Sequence, residues 1–261
     1  MTGYLLIAAE WIGIIAVVLI LSISPVLKNR RPVKFTNPRQ EGIGAISLTV
    51  LIVLFTVIFS RLAFVQFSGF VSFQIWDTEL AVLSFPGELT ISNLITMLGF
   101  FAVCVFPVIY FVRRKKQPWL SLGLKPQMIN SGLQVGFALI LVTIFLRGKL
   151  SSLIYSDKEI NQLFLLLACL IASFGEEIIF RGYLQPRLEN WLGDLTGFLL
   201  TAVISAAWVV FPLLGIGWMA ILALFLYRVL LGLLLGWILK RTGSILPGWL
   251  YHTIHMLLFW M

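Results

Sequence analysis

Two adjacent carboxylates and a guanidinium, Glu176, Glu177 and Arg181, interrupt an apolar run that begins near Leu163. Charges at such depth cost roughly 2.5 to 3.5 kcal/mol each on insertion scales, and they are tolerated chiefly where they serve a function. On a helix Glu177 and Arg181 stand four positions apart, in the order that lets a carboxylate and a guanidinium meet on one face. Glu177 is thereby neutralised locally. Glu176 is turned about 100° from it and faces a different neighbour. The only two histidines, His252 and His255, fall near the other end of the chain, three positions apart and so on one helix face. A carboxylate that takes a proton from water beside an imidazole is an arrangement for general-base hydrolysis. Glu176, His252 and His255 would also supply three ligands and an open position to zinc. A glutamate committed to metal is lost as a free base, however, so a metal-free water activated by Glu176 is the competing expectation.

The elements that must position these groups are membrane helices. Of 261 residues, 60% are hydrophobic and 11% charged, and the mean hydropathy is +1.00. That lies far outside the range of a soluble domain. Spanning segments must satisfy their own backbone polar groups, so the fold class is an all-α polytopic membrane protein. About eight apolar runs are expected as transmembrane helices: 4–27, 43–64, 91–112, 133–146, one from about 163, 198–214, 218–239 and 245–261. The net charge of +8 is carried by short clusters between these runs, such as Lys28 to Arg39, Arg113 to Lys116, and Lys240 with Arg241. Clusters of this kind mark cytoplasmic loops rather than a nucleic-acid surface. The segment with Asp77, Glu79 and Glu88 and no nearby cation reads as external. This bias predicts both termini outside, in a plasma membrane, with Glu176 and His252 near the cytoplasmic leaflet. Lipid is the one partner implied by composition; no nucleic-acid module is present.

Other polar intrusions have simpler readings. Arg228 is expected in an interior ion pair, with Glu10 or a motif carboxylate, and Glu10 as a bundle contact. Arg147 falls in a loop of mixed charge, expected outside. Cys104 and Cys169 lie inside apolar runs and read as buried hydrophobes rather than a disulfide. Trp119, Trp191 and Trp249 fit the membrane interface.

With Glu-Glu-x-x-x-Arg at 176–181 followed by Gly182 and Tyr183, the chain resembles the CPBP family of intramembrane proteases, which includes the type II CAAX prenyl endopeptidases and bacteriocin-processing or immunity proteins. A second matching stretch is Thr242-Gly243-Ser244-Ile245-Leu246 leading into a helix with His252. The resemblance covers about residue 160 to the end, so 132–261 is expected as the family-like core and 1–131 as preceding helices and basic loops of one continuous membrane domain. It implies that Glu176 activates the attacking water, that Glu177 and Arg181 brace one another, and that His252 polarises the scissile carbonyl or binds metal. The implied substrate is a membrane-associated or lipidated peptide, cut near the cytoplasmic face. Pro212 stands where the family has a His four residues after an aromatic, here Trp208, and Met256 where it has an Asn. These departures leave a second expectation: a catalytically impaired relative acting as a membrane binding, scaffold or immunity protein.

Overall fold

The computed structural model describes residues 2–23, 33–62, 91–124, 129–149, 160–213 and 217–260. The described residues are almost all helical. Helix α1 is Thr2–Ser22, α2 Pro38–Leu62, α3 Ile91–Arg114 and α4 Ile129–Leu146. Helix α5, Ile160–Glu176, continues through a π-helical stretch, Glu177–Leu184, into α6, Gln185–Leu192. Then come α7, Asp194–Val210, α8, Trp218–Thr242, and α9, Leu246–Trp260. Every one of the eight expected runs holds a helix. Among the described residues six helices are long and apolar enough to cross a membrane, while α7 is a shorter apolar helix. The protein is a multi-pass membrane protein. Large hydrophobic side chains such as Leu5, Ile12, Leu141, Phe145 and Leu222 are exposed on the helix surfaces, as lipid-facing residues should be. Lys28 and the acidic segment 77–88 lie outside the described residues, as do Asp157, Lys158 and Glu159.

The chain divides into two compact units. The first holds α1, α3, α4, α5 with the π-helical stretch to Tyr183, the end of α8 from Leu234, and α9. The second holds α2, α6, α7 and α8 as far as Leu233.

In the first unit, α9 packs against α4 and α5. Lipid is as apolar as leucine, so helices associate there through close packing and a few hydrogen bonds. Both devices are present. Gly132 and Gly136 of α4 face α9; a Cβ at Gly136 would fall on the Leu250 side chain, and one at Gly132 would sit 3.2 Å from Ser244 Oγ. Ser173 of α5 shares a 2.7 Å hydrogen bond with Thr253 of α9. Trp249 donates its indole N–H to the Leu170 carbonyl at 3.0 Å and packs on Phe174. The half-buried Trp249 thus gives its indole N–H to the protein. Trp119 is exposed, with the Arg113 guanidinium 5.5 Å above its ring.

The turn before α9 sets where that helix starts. Gly243 takes the left-handed conformation at φ 67°, which favours glycine, and donates its N–H to the Leu239 carbonyl at 2.7 Å, ending α8. Ser244 Oγ then accepts the Leu246 N–H at 3.3 Å, an N-terminal cap for α9. Ile245 N–H donates to the Gly123 carbonyl at 3.2 Å, tying the turn to the short 3-10 segment Trp119–Leu122.

In the second unit, Arg187 is fully buried, 3.3 Å from a Glu41 carboxylate oxygen and stacked 4.7 Å from the Phe35 ring. Trp208 donates its indole N–H to Thr56 Oγ1 at 2.7 Å. Trp191 lies against Gly42, where any Cβ would collide with the ring, so it too is packed inward. Pro212 sits in the 3-10 turn Phe211–Leu213 that follows α7.

Candidate active site

The motif carboxylates straddle a change of helix type. Glu176 is the last residue of α5, and Glu177 opens the π-helical stretch that also carries Arg181. A π-helical turn, with i→i+5 hydrogen bonding, is rare and concentrates at functional sites. Two close approaches bracket it. A Cβ at Gly175 would strike the Phe101 ring of α3, and one at Gly182 would lie 2.7 Å from the Leu122 carbonyl oxygen. The motif backbone is thus pressed against α3 on one side and against the Trp119–Leu122 segment on the other.

Glu176, Glu177, Arg181 and His252 are all buried. Arg181 Nε is 4.0 Å from Glu177 Oε1, so the ion pair expected from the spacing is present. The acid at hydrogen-bonding distance from the imidazole, however, is Glu177: its Oε1 lies 3.2 Å from His252 Nδ1. Glu177 therefore serves two partners, a guanidinium from its own helix and an imidazole from α9. Its other oxygen, Oε2, lies where a Cβ on Gly248 would meet it at 3.2 Å. Gly248 and His252 are four apart on α9 and share the face that receives this carboxylate. A neutral imidazole donating Nδ1–H to a carboxylate has its tautomer and ring orientation set by that bond, with Nε2 on the opposite edge as the acceptor. Glu176, the neighbouring acid, is 7% exposed.

His255 belongs elsewhere. Its Nδ1 is 2.9 Å from Glu10 Oε1 and 3.0 Å from an Arg147 guanidinium nitrogen. Glu10 also accepts the Tyr251 hydroxyl at 2.9 Å and pairs with Arg147 Nε at 2.6 Å. One expectation changes here. The cation held by Glu10 is Arg147 rather than Arg228, and Arg147, in the turn that follows α4, turns its side chain into the protein, where it is 10% exposed. Among the described residues no group of three or more His, Cys, Asp or Glu side chains is placed to hold a metal ion. The set Glu176, His252 and His255 thus does not fit a zinc site in this arrangement. Cys104 and Cys169 are buried free thiols.

The residues that motif spacing alone did not single out are Gly248, Gly175 and Tyr251. Gly248 had a signal in the sequence: it lies one helical turn before His252 on the same face.

Residues 159–258, which run from the start of α5 almost to the end of α9, match the family model described as type II CAAX prenyl endopeptidase Rce1-like. That stretch is a domain of this family. No curated protein and no solved structure matches the chain.

Proposed function

We propose that the chain is an intramembrane endopeptidase that hydrolyses a peptide bond of a membrane-associated or lipidated substrate near the cytoplasmic face. The observation that carries this reading is the 3.2 Å approach of Glu177 to His252, which joins two motif segments 75 residues apart in sequence. The Rce1-like match over the same residues supports the protease class.

In this mechanism Glu176 takes a proton from water as the oxygen attacks the scissile carbonyl carbon. It then returns that proton to the leaving amine as the C–N bond breaks. Glu177 holds His252 through Nδ1, and in its doubly protonated form the ring donates Nε2–H to the carbonyl oxygen, where the oxyanion develops. Arg181 balances the charge of Glu177. Both rings meet carboxylates through Nδ1, His252 on Glu177 and His255 on Glu10, and in this mechanism Glu176 activates the water without a metal. The basic clusters at Arg113–Lys116 and Lys240–Arg241 support a cytoplasmic position for those helix ends, which on this reading leaves both termini outside.

A second reading is a non-catalytic relative that acts as a membrane binding, scaffold or immunity protein. Met256 favours it: an apolar side chain, buried on α9, holds the place where the resemblance puts a polar amide. One experiment separates them. Purified protein in nanodiscs is given a lipidated reporter peptide, and product is read by mass spectrometry for the parent and for Glu176→Gln. Cleavage by the parent and none by the variant supports the protease. Absence of cleavage from both moves the assignment to the second reading, and equal cleavage removes Glu176 as the base.

A further inference from the structure

Helix α9 presents two histidines to two carboxylates from different helices. His252 meets Glu177 of the π-helical stretch, and His255 meets Glu10 of α1. The first contact belongs to the candidate active site. The second lies in a cluster that the proposed chemistry does not use: Glu10, Arg147, Tyr251 and His255.

Glu10 is fully buried in the middle of an apolar helix. Three groups from two other parts of the chain reach it: Arg147 Nε just past the end of α4, the Tyr251 hydroxyl and His255 Nδ1, the last two on α9. Tyr251 and His255 are four apart and occupy one face of α9; Gly248 and His252, also four apart, occupy another and receive Glu177. One helix thus carries both contacts, three residues apart.

The apolar packing around α9 does not by itself set its register. Leu250 over Gly136 is a contact that tolerates sliding, since dispersion is non-directional and lipid competes with it evenly. A buried carboxylate with three directional partners does not slide. A turn's displacement of α9, about 5.4 Å, would strip the fully buried Glu10 of both α9 partners. Buried polar groups of this kind are best attested as setters of register.

We propose that Glu10 and Arg147 are positioning residues for the candidate active site: by holding Tyr251 and His255 they fix the depth and rotation at which α9 presents His252 to Glu177. The inference builds on the reading of His252 as a functional imidazole, but its test does not require cleavage.

Because the chain has two histidines and no more, protein labelled with 13C-histidine and held in nanodiscs gives two imidazole signals, assigned with His252→Gln and His255→Gln. The variant is Glu10→Gln, which keeps shape and an acceptor but removes the charge. Expected is a shift of both signals, with the titration midpoint of His252 moved by several-fold in proton concentration and Glu10→Asp restoring part of the change. In the parent that cleaves, kcat falls about tenfold in Glu10→Gln while KM stays within about twofold, the pattern of a lost transition-state contact. If Glu10→Gln does not give folded protein, Tyr251→Phe, which deletes one donor to Glu10, is read in the same way with smaller shifts in the same direction. A displaced His255 signal beside an unchanged His252 signal overturns the proposal. Absence of cleavage by the parent, with both signals coupled as described, sinks the protease assignment and leaves this inference standing.

Discussion

Glu177→Gln is the sharpest test of how the motif is held. Glu177 is 1% exposed and supplies negative charge to Arg181, itself 2% exposed at 4.0 Å, and to His252 at 3.2 Å. Removing one partner of a buried pair costs about 3 to 5 kcal/mol, because the other charge stays desolvated. Glutamine keeps an oxygen that can accept from His252 and Arg181, which places the loss at the low end, about 3 kcal/mol. At about 2 to 4 °C per kcal/mol for a protein of this size, the apparent Tm falls by roughly 6 to 12 °C. The two cysteines supply the assay. Cys104 of α3 and Cys169 of α5 are buried, 1% and 0% exposed, so a thiol-reactive fluorophore reports melting of the unit that contains the motif. Glu176→Gln, measured in parallel, is expected to lose cleavage. A Glu177→Gln protein that melts within about 2 °C of the parent, less than 1 kcal/mol on the same scale, would refute the claim that this carboxylate braces both partners.

Three further outcomes are expected. Gly248→Ala puts a methyl group 3.2 Å from Glu177 Oε2, which must give by a few tenths of an ångström; kcat should fall by a few-fold to about tenfold, short of the roughly hundredfold that a 1 Å misplacement costs, with little change in the thiol-reactive melt. Gly182→Ala drives a Cβ to 2.7 Å from the Leu122 carbonyl oxygen, and since backbone rather than a flexible side chain must yield, a loss of about 1 to 3 kcal/mol is expected in the same melt. Elemental analysis of purified protein should find only substoichiometric metal, and chelator should leave cleavage unchanged; stoichiometric metal that disappears in the His252→Ala His255→Ala double variant would overturn the metal-free mechanism.

The helices were legible because hydrophobic run length is a strong signal in lipid, where nothing but a helix or barrel satisfies the backbone. The Glu177–Arg181 pair was legible from i,i+4 spacing. What spacing could not show is which carboxylate meets His252. That depends on the rotation of one helix about its axis, and the sequence expectation assumed α-helical geometry through a stretch that is π-helical. The two histidines looked like one set because they share a helix face by periodicity. Three residues is about 300° of rotation, and that offset suffices for neighbouring helices to claim them separately. The loop position of Arg147 is legible because it follows an apolar run; only the tertiary fold reveals that a buried Glu10 draws its side chain inward.

The π-helical stretch has a consequence for how the chain can vary. Residues Glu177 to Tyr183 keep a rotational phase between the acid and Gly182, whose backbone must face the Leu122 carbonyl. Exchanging Ile178 or Ile179 for another apolar side chain leaves that phase alone. Deleting either one would change the rotation that separates Arg181 and Gly182 from Glu177, so this short stretch should accept changes of side chain far more readily than changes of length.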